Sequence, residues 1–156
     1  MTREDFEGRI LNAQARMYRV ARSYLRSEQD CMDAVAEAVL RAWQRQDSLR
    51  SEVYFDTWLI RIVIRECINI HRRQRRMTPV EQLPEKPVPP DRATEALRDA
   101  LDALPQKLRT ATVLHYMEGY AVADIARVLR VPKGTVASRL HLARERLRAL
   151  LKEEIE

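Results

Sequence analysis

A chain of 156 residues, 46% of them hydrophobic, with only three glycines and a formal net charge of +5, has room for one modest domain or two small ones and favours helix over sheet. The positive balance favours polyanionic partners, nucleic acid foremost. Three classes are not expected: no apolar run approaches the roughly eighteen residues of a membrane span, the opening MTREDFEGRI lacks the apolar core of a secretion signal, and Cys31 with Cys67 offers neither a disulfide framework nor a CxxC site, so a reducing, cytoplasmic setting is expected.

In chain order, Phe6, Ile10, Met17, Val20 and Tyr24 recur at helical spacing and predict a first helix from about Glu4 to Leu25. Ser27 and Asp30 make a capping-box-like start for a second helix. On it Met32, Val35, Val39, Leu40 and Trp43 form the expected apolar stripe, with Asp30, Asp33, Glu37, Arg41 and Gln44 opposite. The loop DSLRSEVY leads into a third helix, FDTWLIRIVIRECINIHRRQRR, apolar on most faces up to Ile70 and then densely basic at Arg72, Arg73, Arg75 and Arg76. Such a helix must be buried at its middle or covered by a partner.

Five of the seven prolines fall in TPVEQLPEKPVPPD, which predicts an extended linker over 77–91 between an N-terminal domain, 1–76, and a C-terminal domain, 92–156. Residues 1–76 carry 15 basic and 11 acidic side chains and residues 94–156 carry 11 and 9, so neither half is a simple polycationic tail. The second half predicts four helices. Leu97, Leu101 and Leu104 line the first; Pro105 opens the next, with Leu108, Ala111, Thr112 and His115 at helical intervals and Gly119 as its stop. VADIARVL, the turn RVP and KGTVASRLHLARERLRALL then have the spacing of a helix-turn-helix, with Ala126 at the close crossing and Val136 plugging the shared core. Thr135, Ser138, Arg139 and His141 to Leu142 project away from Val136, Leu140 and Ala143, and a donor-rich face of that kind suits base edges and phosphates. The fold expected is all-α: two small helical domains joined by a Pro-rich linker, the second a four-helix domain with a helix-turn-helix.

Plainer readings accompany several of these residues. Tyr54, Phe55 and Trp58 also fit a helical core, the RRQRR end also fits a solvated last turn that complements its helix dipole, and Cys67 with His71 supplies only two ligands, short of a metal site. Asp33 and Glu37 lie one turn apart without a histidine, nucleophile or glycine-rich loop near them in sequence, which favours a docking face over an acid/base pair. No cofactor, metal or catalytic constellation is expected.

ALDALPQKLRTATVLHYMEGYAVADIARVLRVPKGTVASRLHLARERLRALL resembles the promoter-binding C-terminal domain of extracytoplasmic-function sigma factors of the sigma-70 family. DAVAEAVLRAW and FDTWLIRIVIRECINIHRR are similar to that family's N-terminal domain, in the same order. The resemblance implies a non-enzymatic RNA polymerase subunit that binds core polymerase, directs it to promoter DNA and helps open it, restrained by an anti-sigma factor and without membrane insertion. It implies polymerase docking through Asp33, Glu37 and Arg41. It implies minus-10 contacts from the loop 48–56 and the following helix, with Tyr54 and Phe55 placed for stacking on an extruded base and Arg61, Arg65, Asn69, Arg72 and Arg73 beside them. Minus-35 contacts fall to Lys133, Thr135, Ser138, Arg139, His141 and Arg144. The chain departs from the family's usual residues at Ala36, Val39, Ala137 and Leu142, and at Arg130, where a glycine is usual in the turn. Thirteen linker residues at about 3.1 Å each reach about 40 Å, which with the width of a domain bridges two promoter elements. Two other classes compete: a stand-alone helix-turn-helix regulator, which would leave the first domain without a task, and a nucleic-acid hydrolase, which lacks a catalytic constellation.

Overall fold

The computed structural model describes residues 1–76 and 92–155, and the segment 77–91, read above as a linker, lies outside them. Every regular element among the described residues is helical, and the chain divides into two compact units, Met1–Pro84 and Glu85–Glu156.

In the first unit α1 (Arg3–Tyr24), α2 (Glu28–Gln44) and α3 (Phe55–Arg76) all pack on one another. The start of α1 is a full capping box: Thr2 Oγ1 accepts from the Asp5 N–H at 3.1 Å and the Asp5 carboxylate accepts from the Thr2 N–H at 3.3 Å. These Thr2 bonds also hold the Asp5 carboxyl below its ordinary range. At α2, Ser27 Oγ accepts from the Asp30 N–H, while the Asp30 carboxylate accepts from Gln74 of α3 at 2.6 Å. Half of the expected box caps the helix, and the other half ties it to its neighbour.

The apolar stripe expected on α2 is not its buried face. Cys31, Ala34, Ala38 and Ala42 are fully buried, whereas Met32, Leu40 and Trp43 are exposed. Small side chains let α2 approach α1 and α3 closely, as ridge-and-groove packing of helices requires, and the larger apolar residues are left outside. Met17, Val20, Leu59, Ile60 and Val63 fill the space between the helices, each contributing about 1.5–3 kcal/mol relative to an exposed position. Burial raises the Cys31 thiol to about 11 and pushes Cys67 up as well, so both are packing residues rather than nucleophiles. Cys67 is buried and His71 exposed, so the two do not converge. Among the described residues no group of three or more His, Cys, Asp or Glu side chains is placed to hold a metal, and no helix is long and apolar enough to cross a membrane.

In the second unit α7 (Lys133–Ile155) packs against α4 (Arg92–Ala103), α5 (Gln106–Thr112) and α6 (Val122–Leu129). Leu101, Leu104, Leu108 and Ala143 form a cluster with Leu147 against it; Leu97, expected on the same face, is exposed. Buried Arg109 donates to the carbonyls of Asp102 and Leu104, satisfying groups that the end of α4 leaves open. Beyond Thr112 the expected single helix widens into a π-helical turn, Val113–Met117, closed by the Glu118 N–H on the Val113 carbonyl and ended by Gly119 at φ +74°.

The turn between α6 and α7 puts Arg130 in the left-handed region, at φ 57° and ψ 47°. The N–H groups of Arg130 and Val131 both bond to the Ala126 carbonyl, a helix ending usually supplied by glycine. A non-glycine residue there costs about 1–2 kcal/mol, partly offset by the about 0.5–1 kcal/mol that glycine loses in ordering. Arg130→Gly is therefore expected to stabilise the chain by up to about 1 kcal/mol, read as a higher urea midpoint at constant slope. A lowered midpoint would mean that the arginine side chain contributes more than its backbone costs.

Candidate nucleic-acid interface

The segment between α2 and α3 presents one aromatic residue outward and buries the next. Ser51 begins a 3-10 turn, Glu52–Tyr54, in which its carbonyl accepts from the Tyr54 N–H at 3.0 Å; the Tyr54 carbonyl accepts from Thr57 Oγ1 at 3.2 Å. With its backbone held at both ends, Tyr54 is left 57% exposed beside a still more open Val53. Phe55, expected beside it as a second stacking ring, is buried instead. It is 2% exposed, packed edge-on against Phe6 at 6.2 Å and near Trp58 at 5.7 Å. Its ring anchors the turn in the core, and a base could stack on it only if the core opened. Trp58 is half-buried, with Nε1 donating to Ser48 Oγ at 3.1 Å.

From that turn α3 carries Arg61, Arg65, Asn69 and Arg72 outward at spacings of three and four, so that they lie along one exposed face. Arg76 continues the row and Arg73 flanks it. The opposite face of the helix, Leu59, Ile60, Val63, Cys67 and Ile70, is the core. This division explains why the helix is greasy along most of its length without being wholly buried.

On α7, Val136, Leu140 and Ala143 are buried and the candidate side chains surround them. Thr135 and Arg139 are half-exposed on one flank, Ser138 and His141 stand at the centre of the open face, and Lys133 and Arg144 lie on the other flank. Two of these are already engaged: His141 Nε2 lies 3.2 Å from Glu145, and Arg144 donates to the Tyr116 hydroxyl at 2.9 Å. Tyr116, on the π-helical turn, belongs to this surface, and no periodicity in the sequence singled it out.

A second kind of surface lies on α2. Asp33 and Glu37 are exposed, with Asp33 accepting from Gln29 at 2.9 Å. Beside them stand Met32, Ala36 and Leu40, with Met32 and Leu40 at 54% and 59% exposure. Arg41, grouped with the two carboxylates on sequence, is also exposed, and its Nε lies 3.8 Å from the carboxylate of nearly buried Glu66. The face is therefore apolar and acidic, a composition suited to a protein partner more than to DNA.

Known proteins show the same two-part pattern. The Sigma-70 region 2 family model matches residues 10–77 and the Sigma-70, region 4 model matches residues 94–147. The ECF RNA polymerase sigma factor SigM of Mycobacterium tuberculosis is 37% identical over 140 residues, 86% of this chain and 71% of that protein. The RNA polymerase sigma-E factor of Streptomyces coelicolor is 32% identical over 151 residues, 92% and 84%. Among solved structures, the sigma factor RpoE of Bartonella quintana, in complex with the anti-sigma factor NepR, superposes with a TM-score of 0.83 at 26% identity, covering 96% of this chain and 98% of that one.

Proposed function

This chain belongs to the extracytoplasmic-function (ECF) sigma factors of RNA polymerase and directs transcription initiation, and from that premise we propose how its surfaces divide the work. The acidic and apolar face of α2, centred on Asp33 and Glu37, docks on core RNA polymerase. The loop at Tyr54 and the α3 row of Arg61, Arg65, Asn69, Arg72 and Arg73 take the minus-10 element. The open face of α7, with Lys133, Thr135, Ser138, Arg139, His141 and Arg144, enters the major groove of the minus-35 element.

One observation carries this reading: an exposed aromatic side chain on a tethered turn stands at the head of a single basic helix face. Separated bases are held by aromatic faces and guanidinium planes, and a backbone is tracked by a basic groove. Strand opening then draws on binding energy, with an extruded base trapped in the open state, and no bond chemistry by the chain itself is required. A subunit of RNA polymerase works where the polymerase is, which supports a cytoplasmic setting. The Bartonella relative is held by an anti-sigma factor, and a partner of that class, covering the polymerase-binding face, fits the exposed Met32 and Leu40.

Reconstitution tests this directly. Purified chain mixed with core RNA polymerase is expected to co-elute with it and to start transcripts at discrete positions on fragmented host chromosomal DNA, mapped by their 5′ ends. Tight duplex binding by the chain alone, with no co-elution and no discrete starts, would transfer the function to a self-sufficient regulator.

A further inference from the structure

We propose that Arg9 of α1 is the positioning residue of the strand-capturing turn, acting on promoter opening through Tyr54 without touching DNA itself; this rests on the reading of Tyr54 as the stacking platform. The Arg9 guanidinium spans the two sides of Tyr54 in sequence. Its Nη1 donates to the Glu52 carbonyl at 3.4 Å, its Nη2 pairs with the Glu52 carboxylate at 3.1 Å, and its Cζ lies 5.4 Å from the centroid of the Phe55 ring. Two turns further along α1, Arg16 pairs with Asp56 at 2.9 Å. Glu52, Phe55 and Asp56 are thus fixed to one helix, and Val53 with Tyr54 is the stretch left between them.

The arginine chemistry suits this task. A planar guanidinium can donate two bonds in its plane while stacking its face on an aromatic ring, which an ammonium cannot do. Phe6, one turn before Arg9, packs edge-on against both Trp43 at 5.1 Å and Phe55, so the platform under the guanidinium is itself held. Both partners of the Arg9–Glu52 pair are more than a third exposed, and pairs in that setting add little to global stability. Their effect falls on where the turn sits rather than on whether the unit folds.

The test uses reconstituted holoenzyme and a single-stranded non-template oligonucleotide from a promoter mapped as above, compared with the same strand carrying one abasic site scanned through the minus-10 element. The readout is the affinity ratio, intact over abasic, at the site where it is largest. Tyr54→Ala is expected to reduce that ratio roughly tenfold or more, since base stacking on an aromatic is lost. Arg9→Ala is expected to reduce it roughly 3- to 10-fold, Arg9→Lys less, and the double variant no further than Tyr54→Ala alone, because a residue that works through Tyr54 has nothing left to position. Core co-elution should be unchanged in all four. If Tyr54→Ala collapses the ratio and Arg9→Ala lowers intact and abasic affinities equally, Arg9 is a general structural contact and the proposal is overturned. If Tyr54→Ala leaves the ratio intact, the stacking platform itself is misplaced and the proposal falls with it.

Discussion

Arg139→Ala is expected to weaken promoter-specific initiation roughly 5- to 150-fold while leaving the holoenzyme assembled. Arg139 sits in the second turn of α7, half-exposed, with Val136 and Leu140 beside it making the buried contact. Truncation therefore removes a guanidinium from the open face without taking a side chain from the core. An arginine paired with a guanine edge contributes about 1–3 kcal/mol of discrimination, equivalent to roughly 5- to 150-fold. Ala137 and Leu142 offer no donor on this face, and His141 and Arg144 are engaged by Glu145 and Tyr116. Few competing donors remain on the surface. Run-off transcription from the mapped promoter and co-elution with core polymerase, measured on the same preparation, separate the outcomes. Equal loss of both would make Arg139 structural. His141→Ala is a useful contrast, expected to weaken binding modestly because its imidazole faces an internal carboxylate.

The two-module, all-helical plan was legible because it rests on features that sequence displays: a proline-rich break, helical periodicity on either side, and the crossing and plug residues Ala126 and Val136. Arg130 was legible only through the resemblance, which implies a glycine at that point of the turn; the backbone there is left-handed. The faces of α2 were not. Periodicity weighs side chains by size and apolarity, so it chose Met32, Leu40 and Trp43, whereas close helix packing selected the small set Cys31, Ala34, Ala38 and Ala42. Phe55 was misassigned for a related reason. Tyr54 and Phe55 are neighbours at the junction of a 3-10 turn and an α-helix, where no simple period says which ring points outward. The π-helical turn at Val113–Met117 and the Arg9 tether depend on a register shift and on contacts across 43 residues of chain, which no local pattern records.

The exposed face of α2 combines two carboxylates with large apolar side chains. Asp33→Arg with Glu37→Arg is expected to weaken core polymerase binding roughly 100-fold or more, since like charges brought together at an interface cost several kcal/mol. Both carboxylates face water and neither supports the buried Ala face, so the melting temperature should change little. Arg41→Ala, by contrast, leaves Glu66 nearly buried without its 3.8 Å partner, and its effect should be read as stability before it is read as docking. Because apolar residues stand beside the carboxylates, the interface has two separable parts. Affinity for core should fall as salt rises in the native chain, reflecting the carboxylates. Leu40→Ala should lower affinity at every salt concentration while preserving that dependence, because it removes apolar contact and no charge. In the double arginine variant the dependence should vanish or reverse sign. Titration of core polymerase against each variant at two ionic strengths reads all three results. A salt dependence that survives charge reversal would place the docking surface elsewhere on the first unit.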